Sequence, residues 1–226
     1  MPMRVDVVIP TWNAKDLLDR CLRTLAEQTV PHTTIVVDNG SADGTVEHVR
    51  DRFPSVRVVE LDENLGFGPA VNRGVAAGTA PCVVLVNNDV ECEPYFLEHL
   101  VRPLEVSPRI GMVAALLLRP GRGTIDSYGL ELDATLAAFA RFDRDPYDAE
   151  AIHERGLAAP SGGAAAYRRE AYEQAGGFDE RLFAYMEDVD IALRMRALGW
   201  GCAGARDAIG VHLGSATAGR RSVRQV

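Results

Sequence analysis

The run Pro81-Cys82-Val83-Val84-Leu85-Val86 is apolar at every position and stops abruptly at Asn87-Asn88-Asp89. A strand that is apolar on both faces must be covered on both, and the interior of a sheet flanked by helices meets that condition. The preceding segments supply the partners. Residues 5–9 form a short strand closed by Pro10, residues 34–38 a β-branched strand ending in Asn39-Gly40-Ser41, and residues 56–61 a third strand. Leu17, Leu18, Cys21, Leu22 and Leu25 recur at helical spacing opposite Lys15, Asp19, Arg20, Arg23 and Glu27, with Asn13 placed as an N-cap. Further helices are expected over 43–53, 69–77 and 94–105, and a strand over 110–118. Pro69 sits in a first turn, where its missing N–H costs little. This alternation predicts an α/β, Rossmann-like domain with a mostly parallel central sheet. Ligands of such sheets gather at the carboxyl ends of the strands.

The second half is less regular. Residues 121–148 mix turn formers with charges and predict a hairpin or a mobile loop. Order returns at Ala164-Ala165-Ala166-Tyr167, at a helix over 169–175, at a helix over 187–198 stopped by Gly199, and at a short strand over 208–211. With no repeat, low-complexity stretch or linker, residues 1–226 read as one domain. Residues 1–118 form one half, and residues 119–226 a second half holding a smaller subregion. The net charge of −8 argues against a nucleic-acid partner, which would need a basic face. A metal-screened diphosphate stays compatible with it. Cys21, Cys82, Cys92 and Cys202 are scattered, as expected of free thiols in a reducing compartment. The longest apolar run, 110–118, is too short to span a bilayer, and Met-Pro-Met-Arg leads straight into a strand without a leader. A cytoplasmic protein is expected, with peripheral contact at the inner face of a membrane, and a homodimer, both left open.

Polar residues cluster at four consecutive strand ends: Pro10-Thr11-Trp12-Asn13, Asp38-Asn39, Asp62-Glu63-Asn64 and Asn87-Asn88-Asp89. Each is ordinary turn chemistry taken singly, but together they converge on one sheet edge. Asp89 ends a buried strand, where an unpaired carboxylate is expensive, and the next helix starts too far downstream for Asp89 to cap it. A hard cation, Mg²⁺ or Mn²⁺, would satisfy it while sharing its remaining positions with phosphates and water. Asp188 shares a helix face with Ile191, Ala192 and Met195, so that face carries a carboxylate inward. Glu187 and Asp190 suit a helix N-terminus electrostatically.

Five ordered segments carry a resemblance. They are Val8-Ile9-Pro10-Thr11-Trp12-Asn13; Val36-Val37-Asp38-Asn39-Gly40-Ser41 through Thr45; Asn64-Leu65-Gly66-Phe67-Gly68 through Asn72-Arg73-Gly74; Leu85-Val86-Asn87-Asn88-Asp89; and Gly176-Gly177-Phe178-Asp179-Glu180 through Glu187-Asp188-Val189-Asp190. In them the chain resembles the GT-A-fold glycosyltransferases of family 2, particularly the rhamnosyltransferase-like branch, from residue 4 to about 215. The resemblance implies that Pro10, Thr11, Asn13, Asp38, Asn64, Gly66 and Asn88 hold the nucleotide, with Asp38 accepting from N3–H of a pyrimidine and Arg73 near the diphosphate. It implies Asp89 and His212 as metal ligands, with Asn87 replacing the first acid of the family's Asp-x-Asp element. Asp188 would be the catalytic base, with Glu187 in reserve, and Trp12, Gly162 and Gly163 would line the sugar and acceptor site.

The expected reaction is therefore an inverting, metal-dependent transfer of a sugar from a dTDP- or UDP-linked donor, rhamnose from dTDP-rhamnose first. The acceptor hydroxyl would belong to a glycan, a lipid-linked molecule or a small molecule. A dinucleotide-dependent oxidoreductase fits poorly, because Val71 falls where the third glycine would stand. A nucleotidyltransferase would need a glycine- and arginine-rich loop where Pro10-Thr11-Trp12-Asn13 stands. The non-enzymatic alternative is a sugar-nucleotide-binding protein of the same fold. The tail Arg220-Arg221-Ser222-Val223-Arg224 reads as a donor-site lid or as disordered chain.

Overall fold

The computed structural model describes residues 3–214, so the basic tail lies outside the described residues. The first half alternates as the pattern requires: β1 (Val5–Thr11), α1 (Lys15–Ala26), β2 (His32–Asp38), α2 (Thr45–Arg52), β3 (Arg57–Glu60), α3 (Phe67–Ala77) and β4 (Cys82–Val86). After it come β5 (Val90–Cys92), α4 (Phe96–Val106), β6 (Ile110–Leu118), β7 (Ile125–Ser127), β8 (Leu130–Leu132), β9 (Ala138–Ala140), β10 (Ala164–Arg168), α5 (Arg169–Gln174), α6 (Glu187–Ala197) and β11 (Gly201–His212).

The main sheet runs β3-β2-β1-β4-β10-β6-β11-β5, with β7 beside the end of β6, while β8 and β9 pair separately. Strands β3, β2, β1 and β4 are parallel, as anticipated. Beyond β4 the sheet is mixed: β10 lies antiparallel between β4 and β6, β11 is parallel to β6, and β5 is antiparallel to β11. Both faces of β4 are covered. Val84 and Val86 join Leu18, Leu22 and Leu25 of α1 and Phe96, Leu97 and Leu100 of α4 in one core. Val83 and Leu85 join Val71 and Val75 of α3 and Ile191, Ala192 and Met195 of α6 in the other. Each such side chain contributes roughly 1.5–3 kcal/mol by leaving water, and an edge position would forfeit much of it. Gly74 brings α3 down onto the sheet, because a Cβ there would lie 2.4 Å from Val8 Cγ1.

One local expectation changes and two are sharpened. Asn13 does not cap α1. It adopts φ of +48°, a conformation asparagine tolerates better than most residues. Its amide oxygen accepts from Ala42 N–H at 2.8 Å instead. The first N–H of α1, on Lys15, donates to Asp43 Oδ2 at 3.1 Å, so a carboxylate from the next βα loop does the capping. The 121–148 segment is ordered as β7 and the β8–β9 hairpin. Arg141, 3 % exposed, holds it by donating to the carbonyls of Tyr128, His153 and Arg155. The short strand expected over 208–211 is the end of β11, whose pairing with β6 is irregular between Ala205 and Ile209.

At the edge opposite the strand ends, Asp6 is buried and accepts from Ala80 N–H at 2.7 Å and from Arg169 Nη2 at 2.9 Å. Arg169 also donates to the carbonyls of Ala80 and Val75. This clamp joins β1, α3 and α5. Removing the carboxylate strands a largely buried guanidinium, so Asp6→Ala should lower unfolding stability by about 3–5 kcal/mol. Chemical denaturation followed by far-UV circular dichroism measures the loss.

Candidate active site

The parallel strands end side by side, and their loops are stitched together by side-chain amides. Thr11 and Asp38 are register partners at the ends of β1 and β2. Both are buried, as is Pro10 before them. Thr11 Oγ1 accepts from Asn88 Nδ2 at 2.9 Å, which ties the end of β1 to the loop after β4. Asn39, 5 % exposed, donates through Nδ2 to Asn64 Oδ1 at 2.9 Å and to the Gly66 carbonyl at 3.0 Å, and accepts from Leu65 N–H. Asn64 Oδ1 also accepts from Gly66 N–H, so that oxygen is committed to the loop. Gly66 has φ of +98°, and a Cβ there would lie 2.6 Å from the Phe183 carbonyl. Only glycine lets the loop before α6 settle on the start of α3. Trp12 stands partly exposed beside this corner.

Asp38 is the unsatisfied member. Its Oδ2 accepts from Ser41 N–H at 2.9 Å, while its buried Oδ1 has no hydrogen-bond partner. A buried carboxylate oxygen left without a donor costs free energy that a ligand N–H would recover.

The second corner lies past β4. Asp89, 5 % exposed, faces His212 at the end of β11, with Oδ1 3.3 Å from Nε2. The other imidazole nitrogen, Nδ1, lies 2.8 Å from Asp126 Oδ2 on β7. Burial alone would lower the His212 pKa, but the hydrogen bonds to Asp126 and Asp89 and their charges outweigh it and push it up to about 10. Among the described residues no group of three or more His, Cys, Asp or Glu side chains could hold a metal. The facing pair, one carboxylate oxygen and one imidazole nitrogen, fits a divalent ion that completes its shell with phosphate oxygens and water. Asn87, at the place of a further acid, donates its N–H to the Gly163 carbonyl at 2.9 Å, and its buried Oδ1 has no partner.

The third corner is joined to the second by the turn before β10. Gly163 holds Asn87, and Gly162 N–H donates to Asp188 Oδ2 at 3.0 Å. Asp188 Oδ1 accepts from Val189 N–H in the first turn of α6. A Cβ added at Gly162 would lie 3.5 Å from both Asp188 Oδ2 and Glu187 Oε1, so both carboxylates border the small volume above this glycine. Burial raises the Asp188 pKa, with the Gly162 and Val189 N–H groups pulling the other way. Burial and then the Asp188 charge raise Glu187 to about 7. Glu187 is 7 % exposed, and its Oε2 is buried without a partner.

One expected residue lies apart from the group. Arg73 pairs with Glu180 at 2.8 Å on the exposed side of α3, and the structure does not bring it to the strand-end group. Two contributors escaped the sequence reading. Asn39 was seen only as one polar strand end among several, and its bridging amide depends on a loop 25 residues away. Asp126 sits in the irregular 121–148 stretch, where only the Ile125-Asp126-Ser127 alternation signals a strand with one side chain turned differently from its neighbours.

The family model described as "Glycosyl transferase family 2" matches residues 6–176. A Mycobacterium tuberculosis protein named N-acetylglucosaminyl-diphospho-decaprenol L-rhamnosyltransferase is 34% identical over 219 residues, covering 86% of this chain and 71% of the relative. The amylovoran biosynthesis glycosyltransferase AmsE of Erwinia amylovora is 27% identical, covering 85% and 70%. Among solved structures, the mannosyltransferase PcManGT of Pyrobaculum calidifontis, in complex with GDP-Man and Mn²⁺, superposes with a TM-score of 0.72 at 24% identity. That match covers 96% of this chain but only 59% of the other. Residues 1-349 of S. aureus TarS, in complex with UDP, give 0.70 at 18% identity, covering 94% and 61%. The structural likenesses establish the GT-A fold, and the matched family model and the rhamnosyltransferase relative establish the rest: the chain belongs to glycosyl transferase family 2.

Proposed function

We propose that this glycosyltransferase moves a sugar, L-rhamnose from dTDP-rhamnose first and a UDP-linked sugar second, to an acceptor hydroxyl with inversion at the anomeric carbon. The observation that carries this reading is the Asn87–Gly163–Gly162–Asp188 connection, which couples the end of β4 to the inward carboxylate of α6 through one turn. A base and a diphosphate-binding end held on one frame suit a single displacement. The acceptor oxygen forms its bond to the anomeric carbon as the bond to the diphosphate oxygen breaks, and Asp188 takes the acceptor proton. Mg²⁺ or Mn²⁺, held by Asp89 and His212, would neutralise charge on the departing diphosphate. The open Asp38 Oδ1 suits N3–H of thymine or uracil, with Pro10, Thr11, Asn13, Asn64, Gly66 and Asn88 shaping the surrounding pocket. Trp12, Gly162 and Gly163 border the sugar and acceptor.

The printed name of the mycobacterial relative supports rhamnose and a lipid-linked diphosphate acceptor. No helix of the described residues is long and apolar enough to cross a membrane. A thermal-shift panel of dTDP, UDP and GDP sugars with and without Mn²⁺ tests the donor. Metal-dependent stabilisation should be largest for dTDP-rhamnose, and a preference for GDP sugars would sink the assignment.

Asp188→Asn should retain donor affinity by calorimetry while transfer falls by about 10²–10⁴-fold. Full turnover in this variant would remove Asp188 from the role of base. Asp89→Ala should abolish the gain in dTDP affinity that Mn²⁺ brings, read in the same calorimeter.

A base works only as the anion. The pair Glu187–Asp188 has raised pKa values, with Glu187 at about 7, so protons return at a pH where ordinary carboxylates stay ionised. Transfer should therefore fall at a higher pH than an ordinary carboxylate base would give, and Glu187→Gln should move that limb to lower pH. A kcat–pH profile reports it, with apparent values that belong to the pair.

A further inference from the structure

We propose that Asp126 is a positioning residue: it fixes the His212 ring so that Nε2, and not Nδ1, is the nitrogen offered to the cation beside Asp89. The inference rests on the metal reading given above and adds a residue that none of the sequence motifs contains.

The sheet explains how Asp126 arrives there. Strand β10 pairs with β6 only over Met112, Val113 and Ala114. Toward the end of β6, β7 takes its place, pairing Leu117 with Ser127 and Leu118 with Ile125 across an irregular register. On the other side of β6, Leu118 pairs with Val211 of β11. His212 and Asp126 thus flank the end of β6 from opposite sides, and their side chains meet with Nδ1 2.8 Å from Oδ2. His212 is simultaneously anchored on its far side, where its backbone pairs with Val90, next to Asp89.

An imidazole that ligates a cation uses one nitrogen as a lone-pair donor and keeps its proton on the other. With Nδ1–H donating to Asp126, Nε2 is the ligating nitrogen, and Nε2 is the atom 3.3 Å from Asp89 Oδ1. A carboxylate behind the ring also makes Nε2 a stronger donor. Asp126 is itself restrained. Its Oδ1 lies 3.3 Å from Arg119 Nη2, and that guanidinium nitrogen is 2.5 Å from Asp143 Oδ1. The carboxylate therefore has both oxygens engaged, one on the imidazole and one on Arg119, and cannot rotate away without breaking an ion pair. If Asp126 only stapled β7 to β11, neither the choice of ring nitrogen nor the affinity for a cation would depend on it.

The test combines Mn²⁺ titration by electron paramagnetic resonance, with dTDP present, and nitrogen-15 NMR of histidine-labelled wild-type protein loaded with Mg²⁺ and dTDP. In the titration Asp126→Asn and Asp126→Ala should weaken Mn²⁺ binding by about 10- to 100-fold. Asp126→Glu should recover part of that loss, and dTDP affinity without metal should be unchanged in all three. The NMR experiment needs no variant, and it should show His212 with Nδ1 protonated and Nε2 shifted by the ion. Wild-type Mn²⁺ affinity in Asp126→Ala alongside its loss in His212→Ala would overturn the positioning role alone. A bare Nδ1 in the Mg²⁺-loaded protein would overturn it as well. If Asp89→Ala and His212→Ala both bind Mn²⁺ like wild type, the metal reading falls first and this inference with it.

Discussion

Strand β10 enters the sheet against the grain, antiparallel between two strands that run the same way. Its backbone ladder with β4 extends past the last paired residue through the Gly163 carbonyl and Asn87 N–H. Because that bond occurs where the apolar strand gives way to polar residues, the turn at 161–163 lands beside the strand end that carries Asp89. The next N–H in that turn belongs to Gly162 and reaches the carboxylate at the start of α6. Two short backbone contacts thereby fix two otherwise independent carboxylates, one from each half of the chain, on a single frame. A side chain at 163 would interfere, since a Cβ there would meet Leu117 Cδ1 at 2.9 Å.

The electrostatics of the two ends differ by design of their surroundings. At the β4 end, a buried carboxylate faces an imidazole that in the absence of an ion is itself the cation. A divalent ion bound there would have to displace a proton, so its affinity would be coupled to pH. At the α6 end two adjacent carboxylates are both driven toward neutrality by burial. Glu187, raised to about 7, can accept and release a proton near neutral pH.

Legibility followed the range of the interaction. The apolar run at 81–86 announced its own place, because a strand dry on both sides has few alternatives, and the first four strands paired as their alternation required. The inward set of Asp188 with Ile191, Ala192 and Met195 was a matter of one helix period, and those three apolar residues are buried. What could not be read depended on distant partners. The insertion of β10, a five-residue strand rich in alanine, is decided by which two strands have open edges. Cap geometry failed at Asn13 because Asp43, 28 residues after Lys15, took over the Lys15 N–H. Arg73 looked available because Glu180, which occupies it, lies on the other half of the chain. Asp126 was hidden for the same reason: its meaning comes only from His212, 86 positions later.

The amide of Asn39 joins the loops after β2 and β3, and it is followed by Gly40. An asparagine before glycine is chemically fragile, because the next backbone nitrogen can attack the side-chain carbonyl and expel ammonia. Here both ends of the amide are engaged, Nδ2 as a double donor and Oδ1 as an acceptor, so the group cannot turn toward that nitrogen without breaking them. The same bonds that shape this corner therefore protect it. Once the loop opens, hydrolysis would place a carboxylate opposite Asn64 Oδ1 and the Gly66 carbonyl, two acceptors facing a third, and the corner could not close again in its original form.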